Sequence, residues 1–590
     1  MRRRWEFGPE RDDEGVVFRL WAPAADRVEL LLDESELTAM NRHADGWWKS
    51  DPRPTPDGTT YRFRINGGVL VPDPASRGQA DDVHGPSVLV SPRKADTGWT
   101  GRAWEETVLY ELHVGTATPE GTFHALIPEI RRLAGIGITA IELMPIADFP
   151  GRWNWGYDGV LPFAPDRAYG SPDDLRALIA AAHEQNVSVW LDVVYNHFGP
   201  DGNYLHLYAP GFFDPEIATP WGAGIKFTEP FVRRFFIENA LYWLDEYGFD
   251  GLRLDAVHAI SDPSPIHILS ELARTVRAEI APQRQVHLVL ENDNNAARFL
   301  GADPDRYTAQ WNDDIHHTFH VLLTGEKHGY YRNYAEHPEA DLITALTSGY
   351  VYQGQPTADG SPRGEPSGNL APTRFVAFLQ NHDQIGNRAF GERLTSLTSD
   401  EALRAAIAVQ LLIPQIPLIF MGEPWGCTDP FQFFCDFGEE LANAVKQGRR
   451  REFGLDDLPD PTARETVERS SPRVPGISSV TGRPADSWRG FYADLLATRT
   501  HHLVPMLASI GPGTARGGMS EAVVVRWNPG WIVVLNLADR PRRFPNETRF
   551  AENAKIVYST DPAKFASGAV LRDAPPTVPA WTVIAAKENS

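Results

Sequence analysis

Cysteine is almost absent from this sequence: 590 residues contain two, Cys427 and Cys435. Two thiols cannot build a disulfide framework, which excludes the small cross-linked scaffolds and favours a reducing compartment. No apolar run is long enough to cross a bilayer. The opening Met1-Arg-Arg-Arg-Trp5 is basic, yet no apolar stretch of the secretory type follows it. A soluble cytoplasmic protein is the expectation. Basic residues are in deficit as well, 56 Lys and Arg against 78 Asp and Glu, for a formal charge of −22. That balance disfavours nucleic-acid backbones and anionic membranes as partners and suits a neutral ligand. Internal repeats and low-complexity tracts are lacking. The glycine-rich stretch 513–518 lacks the Gly-Lys-Ser/Thr sequence of a phosphate loop.

What is present is a long chain with 17 Trp, whose flat faces suit sugar rings and large cores alike. Its length predicts two to four domains. Residues 1–94 carry short strand-like runs at 16–21, 28–32 and 61–65, the last ending at the hairpin signal Asn66-Gly67-Gly68. They predict a small β-sandwich of the carbohydrate-binding-module kind, serving glycan binding or packing, with packing favoured. Residues 95–107 read as a linker. From 108 to about 500, apolar strand-like runs alternate with amphipathic helical segments such as 126–133, 172–185, 229–246 and 265–280. The strand-like runs are 108–114, 140–146, 188–194, 251–256, 287–292, 375–383 and 418–423, with 309–313 a weaker eighth. Eight such units predict a (β/α)8 TIM barrel, in which catalytic residues sit at the C-terminal strand ends. An excursion after the third strand, about 199–228, predicts a small lobe over the site. Strand-like runs return at 522–527, 531–536 and 578–586, so residues 501–590 predict a C-terminal antiparallel β domain.

The chemistry concentrates at strand ends. In Tyr247-Gly-Phe-Asp-Gly-Leu-Arg-Leu-Asp-Ala-Val-His258, Arg253 and Asp255 lie two apart on one strand face. An adjacent guanidinium favours the ionised carboxylate. One Arg-x-Asp alone is better read as a structural ion pair. Further acidic strand ends, at 192–197, 291–293 and 382–383, tip the reading toward function. Glu291 closes the apolar run His287-Leu-Val-Leu290, where desolvation raises a carboxyl pKa.

Four of these stretches, Asp192-Val-Val-Tyr-Asn-His197, Gly251-Leu-Arg-Leu-Asp-Ala-Val-His258, Leu290-Glu-Asn-Asp293 and Gln380-Asn-His-Asp383, resemble in order the four signature regions of the α-amylase family of glycoside hydrolases. The closer resemblance is to the maltooligosyltrehalose trehalohydrolases, through Tyr110-Glu-Leu-His-Val-Gly-Thr116, Trp155-Gly-Tyr-Asp-Gly159, Thr219-Pro-Trp-Gly222 and Pro430-Phe-Gln-Phe-Phe434. Glu291-Asn-Asp-Asn-Asn295 and Met421-Gly-Glu-Pro-Trp425 depart from the family's form, on the leaving-group side. The resemblance implies a retaining hydrolase with Asp255 as nucleophile, Glu291 as proton donor and Asp383 as a third carboxylate that binds sugar hydroxyls. It implies that His197 and His382 donate hydrogen bonds to the sugar before the scissile bond and that Tyr157 is the platform beneath it. Trp221, in the lobe, is expected to help select the α-1,4 bond beside a terminal trehalose unit. His258 reads equally as a substrate contact or a structural residue, and Asp192 as a structural partner of Arg253 or the neighbouring loop.

The implied substrate is maltooligosyltrehalose, supplied by a separate synthase without implied contact. No cofactor is expected. Asn196, Asp192 and His258 raise a calcium site, but the lobe offers no cluster of oxygen ligands, so no required metal is expected. The alternatives are a glycogen branching or debranching enzyme and a non-catalytic carbohydrate-binding scaffold. The intact Asp255, Glu291 and Asp383 argue against the scaffold.

Overall fold

The computed structural model describes residues 4–93, 98–219, 222–472, 485–518, 520–546 and 548–588. Its centre is a closed barrel of eight parallel strands in sequence order: β1 Leu109–Leu112, β2 Ala140–Leu143, β3 Ser188–Val193, β4 Gly251–Leu254, β5 His287–Leu290, β6 Ala309–Trp311, β7 Phe375–Ala377 and β8 Ile416–Phe420. The strands read as near-continuous apolar runs because helices cover the outside and side chains fill the inside. The covering helices carry their own start signals. Pro172–Glu184 opens with a reciprocal capping box between Ser171 and Asp174 and a proline in its first turn.

Several expected strands end early, and the differences matter for the site. β4 stops at Leu254, and Ala256 at φ 41° turns the chain sharply just after Asp255. The run 375–383 is two elements, β7 and the short helix His382–Gly386, whose first N–H groups are capped by the Asn381 side chain. The weakest run, 309–313, contains a full barrel strand, while Asp313 opens the helix Asp313–Thr324. β8 begins at Ile416, and Glu423 lies beyond it in a 3-10 turn.

One buried cluster fills the barrel with Leu109, Ala140, Trp190, Val289, Ala309 and Leu418, and Trp104 belongs to it. Trp104 comes from the expected linker. Its indole stacks on Trp190 at 5.6 Å and donates to the Thr373 carbonyl at 2.7 Å, while Trp99 donates to Asp250 at 2.7 Å. Residues 98–107 are therefore a strap closing the lower mouth of the barrel, because two tryptophans are too apolar to stay in solvent. Trp104→Ala should cost about 3–5 kcal/mol in denaturant unfolding. A loss below about 1 kcal/mol would mark the strap as passive.

In the N-terminal module the run 16–21 divides at Phe18: Gly15–Val17 pairs with Glu10–Asp12, and Arg19–Trp21 with Trp47–Lys49. Asn66 and Gly67 both have positive φ, and the tight hairpin they make joins Thr60–Ile65 to Leu70–Val71. The module packs on the helix that feeds β4. Glu238 accepts the N–H groups of Glu6 (2.9 Å) and Phe7 (3.2 Å), the Trp5 indole donates to Glu246, and the Arg77 guanidinium lies 4.2 Å from the Tyr242 ring.

The lobe after β3 holds a hairpin of Phe213–Thr219 and Gly222–Ile225. The C-terminal sheet has seven strands, antiparallel but for one short parallel pairing, with Glu521–Trp527 and Trp531–Asn536 as a hairpin. Among the described residues no helix is long and apolar enough to cross a membrane.

Candidate active site

Parallel register sets Asp192 of β3 beside Arg253 of β4, both facing the barrel axis. The buried guanidinium is gripped from several sides. Its Nη1 donates to both oxygens of Asp192 (2.9 and 2.8 Å) and to Asp255 Oδ1 (2.7 Å), while Nη2 lies 3.9 Å from Glu291 Oε2. Its face rests 4.2 Å over the Trp311 ring. The second Asp255 oxygen accepts from Asn196 Nδ2 at 3.2 Å. Asp255 thus has both oxygens held by donors while remaining partly open to the cleft.

Glu291 follows β5, and the turn at Ala256 aims a backbone N–H at its Oε2 (2.7 Å). Burial lifts this carboxyl well above the usual carboxylate range. The charges of Asp255, Asp313 and Asp383 push the same way, and Arg253 opposes them. One guanidinium therefore bridges a carboxylate whose two oxygens both meet donors and a carboxyl whose pKa burial raises, the pairing that acid/nucleophile chemistry needs. Asp383 is exposed near the start of its short helix, with its Oδ1 accepting from Asn387 Nδ2.

Tyr157 donates to Asp192 Oδ2 at 2.6 Å and stacks on His382, with ring centroids 5.1 Å apart and planes 25° apart. His382 Nε2 is 2.8 Å from the Tyr157 hydroxyl, and Nδ1 faces Glu111. Burial lowers the His382 pKa, but the Glu111 carboxylate outweighs it and the net shift is upward. His197 points Nε2 at the Tyr157 carbonyl (2.9 Å) and Nδ1 at Asn196, and burial holds it toward the neutral form. In this geometry all four ring nitrogens of these two histidines face protein partners. They brace Tyr157 and Asn196. His258 is exposed, and its Nδ1 accepts the Asp293 N–H at 3.3 Å. Trp221 lies outside the described residues.

Sequence reading missed three carboxyl groups. Asp313 is pushed up to about 7 by burial and the Asp293 and Asp383 charges, and accepts from Gln384 Nε2 at 3.1 Å. The acidic pair Asp313-Asp314 after a weak strand was its signal. Glu111 of β1 pairs with His382. Its register neighbour Glu142 of β2 is buried with neither oxygen hydrogen-bonded. Burial, with Glu111 and Asp192 adding repulsion, raises the Glu142 carboxyl well above the usual range. A charged residue inside an apolar strand run was the clue. Among the described residues no group of three or more His, Cys, Asp or Glu is placed to hold a metal ion.

A closed parallel barrel with these carboxyl groups at its strand ends defines an α-amylase-type glycoside hydrolase. Residues 77–207 match the alpha amylase catalytic domain, and residues 6–77 match carbohydrate-binding module 48, the isoamylase N-terminal domain. The chain belongs to the malto-oligosyltrehalose trehalohydrolase family. It is 40% identical to the malto-oligosyltrehalose trehalohydrolase of Saccharolobus solfataricus over 77% of this chain and 81% of that protein. To the enzyme of the same name from Rhizobium sp. it is 39% identical, over 89% and 91%. A branching enzyme, GlgB of Mycobacterium bovis, is 34% identical over only 41% of this chain and 37% of its own. Among solved structures, a candidate alpha amylase from Salmonella typhimurium superposes with a TM-score of 0.92 at 41% identity, covering 99% of this chain and all of that one. A pullulanase from Paenibacillus barengoltzii shares the fold alone, with a TM-score of 0.72 at 18% identity over 100% and 96% of the two chains.

Proposed function

We propose that this chain is a retaining hydrolase that cleaves the α-1,4-glucosidic bond next to the terminal trehalose unit of maltooligosyltrehalose, releasing trehalose and a maltooligosaccharide. The observation that carries it is the Arg253 guanidinium shared by Asp255 and Glu291. Glu291 gives its proton to the glycosidic oxygen as the Asp255 carboxylate attacks the anomeric carbon, and trehalose leaves. Glu291, now ionised, takes a proton from water, which attacks the glycosyl ester and frees Asp255 with the configuration retained. Asp383, exposed beside them, binds ring hydroxyls. Tyr157, braced by Asp192, His382 and the His197 ring at its own carbonyl, forms the floor. Trp221 is assigned to the leaving-group side. Trp221→Ala should lower the preference for maltooligosyltrehalose over plain maltooligosaccharide, and an unchanged preference would remove that assignment.

The test of function is product analysis with maltopentaosyl-trehalose, a plain maltooligosaccharide and branched glycogen. Free trehalose plus linear maltooligosaccharide, with little action on the other two, is expected. Chain shortening or debranching without a trehalose preference would overturn the substrate assignment. The substrate is supplied by a synthase reaction that turns a reducing-end α-1,4 bond into an α-1,1 bond, and no contact with that enzyme is implied. Two buried cysteines without a disulfide suit a cytoplasmic location.

The pH profile reports on Glu291. It works protonated, and its pKa is raised by burial first and by neighbouring carboxylates second. kcat/KM should therefore hold through neutral pH and fall on the alkaline side as Glu291 ionises. In Glu291→Gln the residual rate should lack that limb. An unchanged limb in the variant would assign it to another group.

A further inference from the structure

A groove of about 1000 Å3 lies away from the barrel mouth, between the C-terminal sheet and the helix Ala485–Thr498. One wall carries Phe491, Asp494 and His501, and the other Tyr558, Asp561 and Trp581. Its volume is at the upper end of ordinary ligand sites. Trp581 adopts φ 48°, a left-handed conformation that is uncommon for so bulky a residue, and its N–H is tied to the Ala538 carbonyl at 3.1 Å. Such strain persists only where the surroundings enforce it, and it is common at binding sites.

The lining selects its occupant. Aromatic faces on both walls are suited to the flat C–H faces of sugar rings, while carboxylates and an imidazole at their edges are suited to hydroxyls. His501, which also lines the groove, has its Nδ1 tied to the Ala497 carbonyl at 2.7 Å. The charges nearly cancel. Lys564 lies 3.5 Å from Asp561, and Arg404, stacked 4.7 Å from the Phe491 ring, stands among Glu401 and Asp494. A polyanion meets carboxylates there, while Lys564 already accompanies Asp561 and Arg404 offsets a second acid. A neutral polyol fits.

We propose that this groove is a second saccharide site, which binds a stretch of linear α-1,4-glucan remote from the catalytic cleft. The identity of the sugar rests on the hydrolase reading, and the groove's chemistry does not. The test is calorimetric titration of the full-length, inactive Asp255→Asn chain with maltoheptaose, repeated with Trp581→Ala and with Tyr558→Ala added. In the active background the same two substitutions are assayed for trehalose release from a short maltotriosyl-trehalose. The expected result is a binding event weakened at least tenfold by either substitution, with trehalose release kept within twofold. Tyr558→Ala serves if Trp581→Ala fails to fold. If no event weakens tenfold in a folded variant, or if short-substrate turnover falls in parallel with binding, the groove is not a glucan site. A failure of the trehalose assay in the parent chain would strike the substrate assignment and leave the titration intact.

Discussion

Asp255→Asn should fold like the parent and lose turnover by a factor on the order of 10⁴ or more. The amide keeps an oxygen for Arg253, so the substitution removes the nucleophile without opening the site. Glu291→Gln should lose about 10²–10⁴, the range of a general acid. Because burial favours the protonated form of Glu291, its amide is close to isosteric with the working form, and melting temperatures should barely move. Small anions separate the two roles. Azide added to the Asp255 variant can attack the anomeric carbon in place of the missing carboxylate when the leaving group is activated. It should do nothing of that kind for the trehalose-departure defect of Glu291→Gln with the natural substrate. A well-folded Asp255→Asn within tenfold of the parent would remove the nucleophile assignment.

The second large effect falls on stability as well as rate. Arg253→Met strips the guanidinium shared by Asp192, Asp255 and Glu291. Removing one partner of a buried ion pair leaves uncompensated charge and typically costs about 3–5 kcal/mol. The sign with pH is definite. Burial raises Asp192 to about 6 even with Arg253 present, so its proton favours the folded state. That contribution is complete below 3.8, the ordinary value, and is lost as pH rises through about 6. Without Arg253 the folded-state value climbs further, and the window widens upward. The variant should therefore recover part of its deficit on acidification from neutral pH. Arg253→Lys keeps a charge but not the fork and should lie between the two. A deficit under about 1 kcal/mol, or one flat from pH 5 to 8, would show that the clamp contributes little.

The barrel was legible because its strands are buried on both faces and so stand out as apolar runs, each ending where polar residues begin. β6 was faint because three residues carry almost no period. The roles of Asp255 and Glu291 came from the family resemblance of their strand ends, and local chemistry, a neighbouring Arg in one case and an apolar run in the other, agreed with it. The engagement of His197 and His382 could not, since their partners, the Tyr157 carbonyl and the Glu111 carboxylate, come from distant loops and strands. Trp104 was hidden for a different reason. A single indole between domains carries no periodicity, and only the barrel's lower mouth explains it. Glu142 was overlooked because an apolar run absorbs one carboxyl without changing its pattern.

The seam between the N-terminal module and the barrel limits how this enzyme can be cut or recombined. Glu238 and Glu246 are both buried, and the groups that satisfy them, the backbone of Glu6 and Phe7 and the indole of Trp5, all belong to the other module. They sit on the segment running into β4, whose end carries Asp255. A chain trimmed at residue 94, or a chimera fitted with a foreign N-terminal module, would leave two carboxylates stranded just upstream of the proposed nucleophile. The N-terminal module and the barrel therefore have to be moved together.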